Sequence, residues 1–263
     1  MSRKVVVIFI LSMLSMAISS AKDSYDIIIV GGTPGGIMAS IAAAREGKTS
    51  LILERTGHIG GLPANGLGAT DIATRGATTG LFKEFVDRNK QYYIKTYGAD
   101  SQQVIDCSDG YHFEPSVAEK VFLEMIVEQG TKVTVLKHRQ FDSDPANLSR
   151  KGATITGITV TNLETKEKEK YRASVFIDAT YEGDLGAAAG IPFRVGRESR
   201  DEFGELGAGK IYRYWEAEKG KCTNLLGYEG AYESEGTTFQ GDNAVQAYNY
   251  RLCLTTDKEN RKK

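Results

Sequence analysis

Cysteine is scarce in this 263-residue chain, and the three present, Cys107, Cys222 and Cys253, are too scattered for a metal-ligand spacing or a closely spaced redox pair. Buried or incidental thiols are the expectation; in an oxidising compartment a single Cys222–Cys253 disulfide is the most plausible pairing and leaves one odd thiol. Histidine is as rare. His58, His112 and His138 lie far apart, and no Ser/His/Asp or Cys/His arrangement for nucleophilic catalysis stands out. The formal charge of −1 gives no excess of either sign with which to hold nucleic acid or an anionic membrane. Internal repeats and low-complexity tracts are missing, and past the first residues no apolar run approaches the roughly 20 needed to span a bilayer. What is present, 41% hydrophobic and 25% charged residues, is the composition of a globular chain with a sizeable core.

The N-terminus has the layout of a targeting segment. Arg3 and Lys4 give a positive start, residues 5–17 are largely apolar, and Ser19, Ser20 and Ala21 form a small-residue cleavage site. Residues 1–21 are therefore read as a signal peptide and the mature protein as secreted or periplasmic, an uncleaved anchor being the alternative. Asn147-Leu148-Ser149 is a glycan acceptor triplet in a eukaryotic secretory pathway, but the host is not legible.

The stretch around which the chain is organised follows. Asp26-Ile27-Ile28-Ile29-Val30 is a nearly unbroken β-branched run, as for a parallel strand covered on both faces. It stops at Gly31-Gly32-Thr33-Pro34-Gly35-Gly36. Residues 37–45 then read as a short helix that Gly47 can cap, and Ser50-Leu51-Ile52-Leu53 as a second buried strand ending on Glu54. A turn of this kind lets the main chain approach a pyrophosphate, whose charge the free N–H groups and positive end of the helix stabilise. An acid at the tip of the second strand accepts hydrogen bonds from a ribose diol, and Glu54 follows Gly36 at close to the roughly 20-residue spacing of a dinucleotide site. Gly31 and Gly36 match the outer glycines of that pattern, whereas Thr33 stands at the middle one. A β-carbon there must point away from the phosphates, or the ligand must sit further out.

Beyond Glu54, Arg55-Thr56-Gly57-His58-Ile59 leads to Gly60-Gly61, a second phosphate-approach element that nicotinamide dehydrogenases do not ordinarily carry. With these motifs the chain resembles the FAD-dependent oxidoreductases of the glutathione-reductase-like superfamily. More narrowly it resembles a xanthan-lyase-like branch in which the turn commonly reads Gly-Gly-Thr-Pro-Ala/Gly-Gly, so that Thr33 fits the branch. Asp178-Ala179-Thr180-Tyr181-Glu182-Gly183-Asp184 is similar to a third segment of the same family. It follows a run at residues 175–177 read as a buried strand, and so puts open backbone at a strand's carboxyl end, where ligands of such sheets bind. A helix-capping role suits Glu182 and Asp184 better than an acid/base pair.

The resemblance implies that FAD is held by Gly31, Gly32, Thr33, Pro34, Gly35, Gly36, Glu54, Arg55, Gly60, Gly61, Gln140, Ala179 and Thr180. In the family the main chain after the third strand meets the adenine, which places Gln140 or Phe141 there. The segment after Gly61 passes the isoalloxazine, so residues 65–71 either line the flavin or form an ordinary surface loop. No catalytic side chain and no metal ligand can be nominated; Arg197 and Tyr248 are candidates to face substrate only as far as packing does not explain them.

Between these motifs, residues 81–97 and the segment from Pro115 towards Gly130 have helical spacing, residues 98–113 read as a polar loop, and residues 131–136 as a strand. Residues 153–160 and 173–177 flank the charged run 164–170, a β-meander with a solvated tip. The whole reads as an α/β, Rossmann-like FAD-binding domain over residues 22–195, with a central parallel sheet and an inserted antiparallel β-meander. Residues 196–263 begin a second, incomplete substrate or cap region. The Gly241-Asp242 pair is not a late ribityl-binding motif, because no buried strand precedes it. The resemblance implies a late strand and helix over the flavin that are not found before the solvated tail at residues 257–263, so the expectation is a truncated member keeping the ADP half of the site.

The function implied is FAD-dependent oxidation or reduction of a small organic or carbohydrate-related molecule, with oligomeric state open. A non-catalytic secreted nucleotide-binding remnant and an NAD-dependent dehydrogenase are the alternatives.

Overall fold

The computed structural model describes residues 24–211, 215, 216, 221, 222, 236–246, 251, 252, 254 and 258. The expected leader at residues 1–21, Tyr248 and the side chains of Cys222 and Cys253 lie outside the described residues.

At the centre is β1 (Tyr25–Val30), the β-branched run that the sequence marks as buried. It pairs in parallel with β2 (Ser50–Leu53) on one side and with the second half of β7 (Lys168–Asp178) on the other, while β2 pairs with β3 (Val133–Leu136). Both faces of this sheet are covered, which is why β1 and β2 contain almost no polar residues. Ile29 and Ile52 pack into a cluster with Phe85, Phe122 and Met125, supplied by helices α2 (Gly80–Tyr97) and α4 (Pro115–Val127) and joined by Ile37 and Ile41 of α1 (Pro34–Arg45). The other face, Ile28, Val30, Leu51 and Leu53, packs against Phe141, Ile158, Val160 and Tyr171 of the meander.

The meander consists of β4 (Arg139–Gln140), β5 (Leu148–Lys151), β6 (Thr154–Asn162) and the first half of β7, all antiparallel. One strand thus serves two sheets: residues 168–172 of β7 pair with β6 and residues 173–178 with β1. This is the α/β, Rossmann-like architecture with an antiparallel insertion that the motifs imply.

Local chemistry sets the element ends. Helix α1 begins at Pro34, earlier than the run of apolar residues indicates, because proline suits the first helical position and Thr33 caps the first turn. It closes where the N–H groups of Gly47 and Lys48 satisfy the carbonyls of Ala44 and Ala43. The segment 98–113, read from sequence as a loop, contains α3 (Gln102–Asp106), capped by Ser101, and buries Cys107, Tyr111 and Phe113 under α2. Past the parallel sheet lie α5 (Asp184–Ala189) and α6 (Arg200–Phe203), followed by a two-residue strand pair, Trp215–Glu216 with Lys221–Cys222. Arg197 bridges to Asp242 through both backbone and side chain, and its guanidinium holds the Asp242 carboxyl down to about 2. An ion pair therefore accounts for Arg197, the residue proposed from sequence to face substrate.

Two further readings change. Residues 175–177 are not a buried strand: Val175 is 49% exposed, because the helical layer lies over β1, β2 and β3, whereas β7 ends the parallel set on the side away from β3. Nor is the run 164–170 all solvated tip. Glu169 lies within β7 and turns inward to accept from Arg139, Asn162 and Tyr171.

The three helices are tied by an ionic array in which Arg45 of α1 meets Glu84 at 2.9 Å, and Arg88 meets Glu84 at 2.7 Å and Glu128, just past α4, at 2.5 Å. Burial alone would raise the Glu84 carboxyl, but hydrogen bonds from Arg45 and Arg88 outweigh it and hold the group below the ordinary carboxylate range; the Arg88 hydrogen bond does the same for Glu128. A carboxylate depressed in the folded state contributes stability that is complete above its unfolded pKa and disappears as pH falls through the folded one. Calorimetry should accordingly show Tm falling as pH drops through and below the ordinary carboxylate value of 4.5, with a shallower fall for Glu84→Gln than for the parent; identical slopes would exclude this contribution.

Candidate functional site

Three backbone turns meet at the carboxyl ends of β1, β2 and β7, around a cavity of about 250 Å³. The first runs from Gly31 to Gly36. Gly31 has φ +103°, and a β-carbon on it would lie 2.7 Å from the carbonyl oxygen of Ala179; one on Gly36 would lie 2.2 Å from the carbonyl oxygen of Gly31. Both positions are thus fixed by close approach of backbone to backbone. Gly35, by contrast, is exposed, with no comparable contact.

Thr33, at the middle position of the glycine pattern, turns its side chain into the protein. Its hydroxyl donates to the carbonyl of Ala179 at 2.8 Å and accepts from the Gly36 N–H at 3.4 Å, leaving Thr33 8% exposed. The β-carbon required to point away does so because the hydroxyl ties the first turn to the third and caps α1 at once. No acidic residue occupies the first turn of α1, so the positive end of that helix is not neutralised there.

The second turn starts at Glu54, which is buried with 8% exposure. One carboxylate oxygen accepts the Gly32 N–H at 2.8 Å and the other the Thr56 N–H at 2.7 Å. Each oxygen keeps acceptor capacity beyond these bonds. The loop closes back on the first turn through the Gly60 N–H, which donates to the carbonyl of Gly32 at 2.7 Å.

The third turn follows β7. The Ala179 N–H donates to the Val30 carbonyl at 2.8 Å, locking it beside β1. The Asp178 carboxylate accepts from the Thr180 N–H and hydroxyl and, at 2.9 Å, from the Gly186 N–H in the first turn of α5. Thr180 in turn accepts from the N–H groups of Gly183 and Asp184. Asp178 and Thr180 therefore do the capping that the sequence reading gave to Glu182 and Asp184, because they sit at the strand end facing the helix start. Glu182 instead pairs with Arg55 at 2.8 Å across the cavity mouth. Asp184 lines the cavity, and burial raises its carboxyl, with Glu182 and Asp178 adding to the effect.

Of the residues nominated from sequence, Gly31, Thr33, Glu54, Arg55, Gly61, Gln140 and Thr180 line the cavity. Gly32, Pro34, Gly35, Gly36, Gly60 and Ala179 do not line it; Gly32, Gly36, Gly60 and Ala179 stand behind it in the bonds just described. Phe141 also lines it, as does Asn65, held in a single turn (Pro63–Leu67) by a bond from its amide to the Gly61 carbonyl. The rest of the segment 65–71 leans away, pairing Gly68 and Thr70 with Phe113 and Tyr111.

Arg139 and Tyr181 line the cavity without having been nominated. Both adjoin nominated residues, and only the fold shows their reach. The Tyr181 hydroxyl accepts the Leu62 N–H at 2.8 Å, and Glu169 holds the Arg139 guanidinium through both carboxylate oxygens. Among the described residues no group of His, Cys, Asp and Glu is arranged to hold a metal ion. An unneutralised helix N-terminus beside a carboxylate at a strand tip suits a phosphate-bearing nucleotide.

The family model described as FAD dependent oxidoreductase matches residues 26–263. The chain is 41% identical over 54 residues to the mitochondrial dihydrolipoyl dehydrogenase of Pisum sativum, covering 20% of this chain and 11% of that protein. It is 26% identical over 187 residues to the vinyl phenol reductase of Lactiplantibacillus plantarum, covering 60% of this chain and 38% of the other. Among solved structures, the glycerol-3-phosphate dehydrogenase from Bacillus halodurans complexed with FAD aligns with a TM-score of 0.45 at 10% identity, over 64% of this chain and 37% of that one. The chain thus spans 11% and 38% of the lengths of the two curated relatives.

The two glycines opening α1 should respond in opposite ways. Gly36→Ala forces a methyl against the Gly31 carbonyl and should cost about 1–3 kcal/mol. Gly35→Ala meets only the Thr33 hydroxyl, at an ordinary contact of 3.8 Å, and should be neutral or slightly stabilising in a helix. Urea denaturation of both variants checks this, and equal midpoints would refute the close approach at Gly36.

Proposed function

The chain belongs to the FAD dependent oxidoreductase family, and from that membership we propose that it binds FAD with the ADP half in the cavity between the three turns. The observation that carries this reading is their convergence: Gly31, Glu54 and Thr180, from the tips of separate strands, line one cavity. At the N-terminus of α1, Gly31 and Thr33 would hold the pyrophosphate from the cavity wall, with Gly32, Pro34, Gly35 and Gly36 shaping the turn behind them. The free acceptor capacity of Glu54 would take the ribose hydroxyls, Arg55 and Gln140 would flank the adenosine, and Gly61 and Thr180 would bound the diphosphate, with Gly60 and Ala179 fixing their turns from behind. When bound, FAD supplies a flavin ring that accepts or gives a hydride. The protein's part is to bind and orient the cofactor, through groups that all lie within the described residues.

The Gly-Gly-Thr-Pro-Gly-Gly turn and the segment 178–184 support placement in the xanthan-lyase-like branch. The bonds made by Thr33 give that variant of the turn a structural purpose. The activity proposed is oxidation or reduction of a small organic or carbohydrate-related molecule. The near-neutral charge argues against nucleic acid as a partner, and no described helix is long and apolar enough to cross a membrane.

Calorimetric titration tests the cofactor reading. FAD should bind, ADP should compete with it and FMN should not, because the contacts proposed are to the ADP half. FAD binding indifferent to ADP would sink the reading, and preference for NAD would replace it with a nicotinamide enzyme. We also propose export after removal of residues 1–21. N-terminal sequencing of the protein recovered from outside the cytoplasm should begin at Lys22, and recovery only inside the cell with Met1 retained would refute it.

A further inference from the structure

We propose that Glu119, a carboxylate of α4 outside all three turns, is a positioning residue of the dinucleotide site that holds the loop before Gly60 and Gly61 in its binding shape. The inference rests on the FAD reading above and deepens it.

The loop between Glu54 and Gly61 contains no helix or strand, so its backbone polar groups need partners from elsewhere. Glu54 accepts the Thr56 N–H, Lys137 donates to the Gly57 carbonyl at 2.9 Å, and Gly32 accepts the Gly60 N–H. Within the loop the Thr56 hydroxyl donates to the His58 carbonyl at 2.9 Å and accepts the His58 N–H at 3.2 Å, which leaves the Ile59 N–H and the His58 ring to Glu119. One of its oxygens accepts the Ile59 N–H at 3.1 Å, and the other lies 2.9 Å from Nδ1 of His58. Lys137 Nζ stands 3.7 Å from the first oxygen.

The Glu119 side chain is only 18% exposed, whereas that of His58 is 62% exposed and lies on the cavity lining. Glu119 thus grips from the protein side a loop whose other side faces the ligand. Burial alone would raise its carboxyl, but the bonds to His58 and the Ile59 N–H outweigh burial and hold it below the ordinary range. Phe122, one helical turn further along α4, packs under Gly60. One face of α4 therefore supports the main chain of residues 59 and 60 with a carboxylate and a ring. Because Gly60 is also bonded to Gly32, a shift of Ile59 moves the second turn relative to the first.

The test uses the full chain with Glu119→Ala and Glu119→Gln. Alanine removes both grips and should weaken FAD binding about 10-fold or more. Glutamine keeps an oxygen for the Ile59 N–H and a hydrogen-bonding amide for the His58 ring, and should restore affinity to within about 3-fold. Amide exchange over residues 56–61 should quicken in the alanine variant and return towards the parent in the glutamine variant. An alanine variant that binds FAD as the parent does overturns this role alone. Failure of glutamine to rescue an affinity lost in parallel with global stability overturns it too, by reducing Glu119 to a packing residue. A parent chain that binds no FAD overturns the function proposed above and this role with it.

Discussion

The parallel pairing of β7 with β1, from Tyr25↔Ala173 to Val30↔Asp178, is the constraint on which the site depends. It brings Ala179 against Val30 and Gly31, so that a turn 146 residues away from Thr33 supplies the acceptor for its hydroxyl. Without that register the glycine turn would still exist, but nothing would face it. The pairing is secured by burial: Ile28, Ile29 and Val30 are all but inaccessible, with a helical layer on one side and the meander on the other. A one-residue slip would turn these side chains to the wrong faces.

Around this frame the chain spends charge on holding main chain in place. Glu54 is buried and bonded to the N–H groups of Gly32 and Thr56, so the residue read as a ribose acceptor is first a brace between two turns. Asp178 does the same between β7 and α5, and Glu119 between α4 and the loop before Gly60. Carboxylates that are buried, as Glu54 is, or half-buried, as Asp178 and Glu119 are, are tolerable where N–H groups satisfy them. Each of these three joins segments that are remote along the chain or at the junction of two elements, which keeps the cavity rim in shape without side chains filling it.

The parallel strands, the glycine turn and the longer helices α1, α2 and α4 were legible in the sequence because their signals are local: a β-branched run, a proline at a helix start, an acid at a strand tip. Thr33 was legible as a departure from pattern but not as a link, since its partner is remote. Val175 looked buried because its neighbours in sequence are apolar, yet its exposure depends on which strand lies outermost. Glu169 looked solvated because it sits in a charged run, yet strand alternation turns it inward to Arg139. Glu119 carried no signal at all; a glutamate on an amphipathic helix reads as surface until the fold puts the loop at residues 58 and 59 beside it.

The long β7 has a consequence for how errors spread. Its first half belongs to the meander and its second half to the parallel sheet, with no hinge residue between Arg172 and Ala173. The insertion therefore acts as a ruler: the register that β6 sets at residues 168–172 and the one that β1 sets at residues 173–178 lie on one continuous strand, so they fix together how far along β1 Asp178 and the turn beyond it stand.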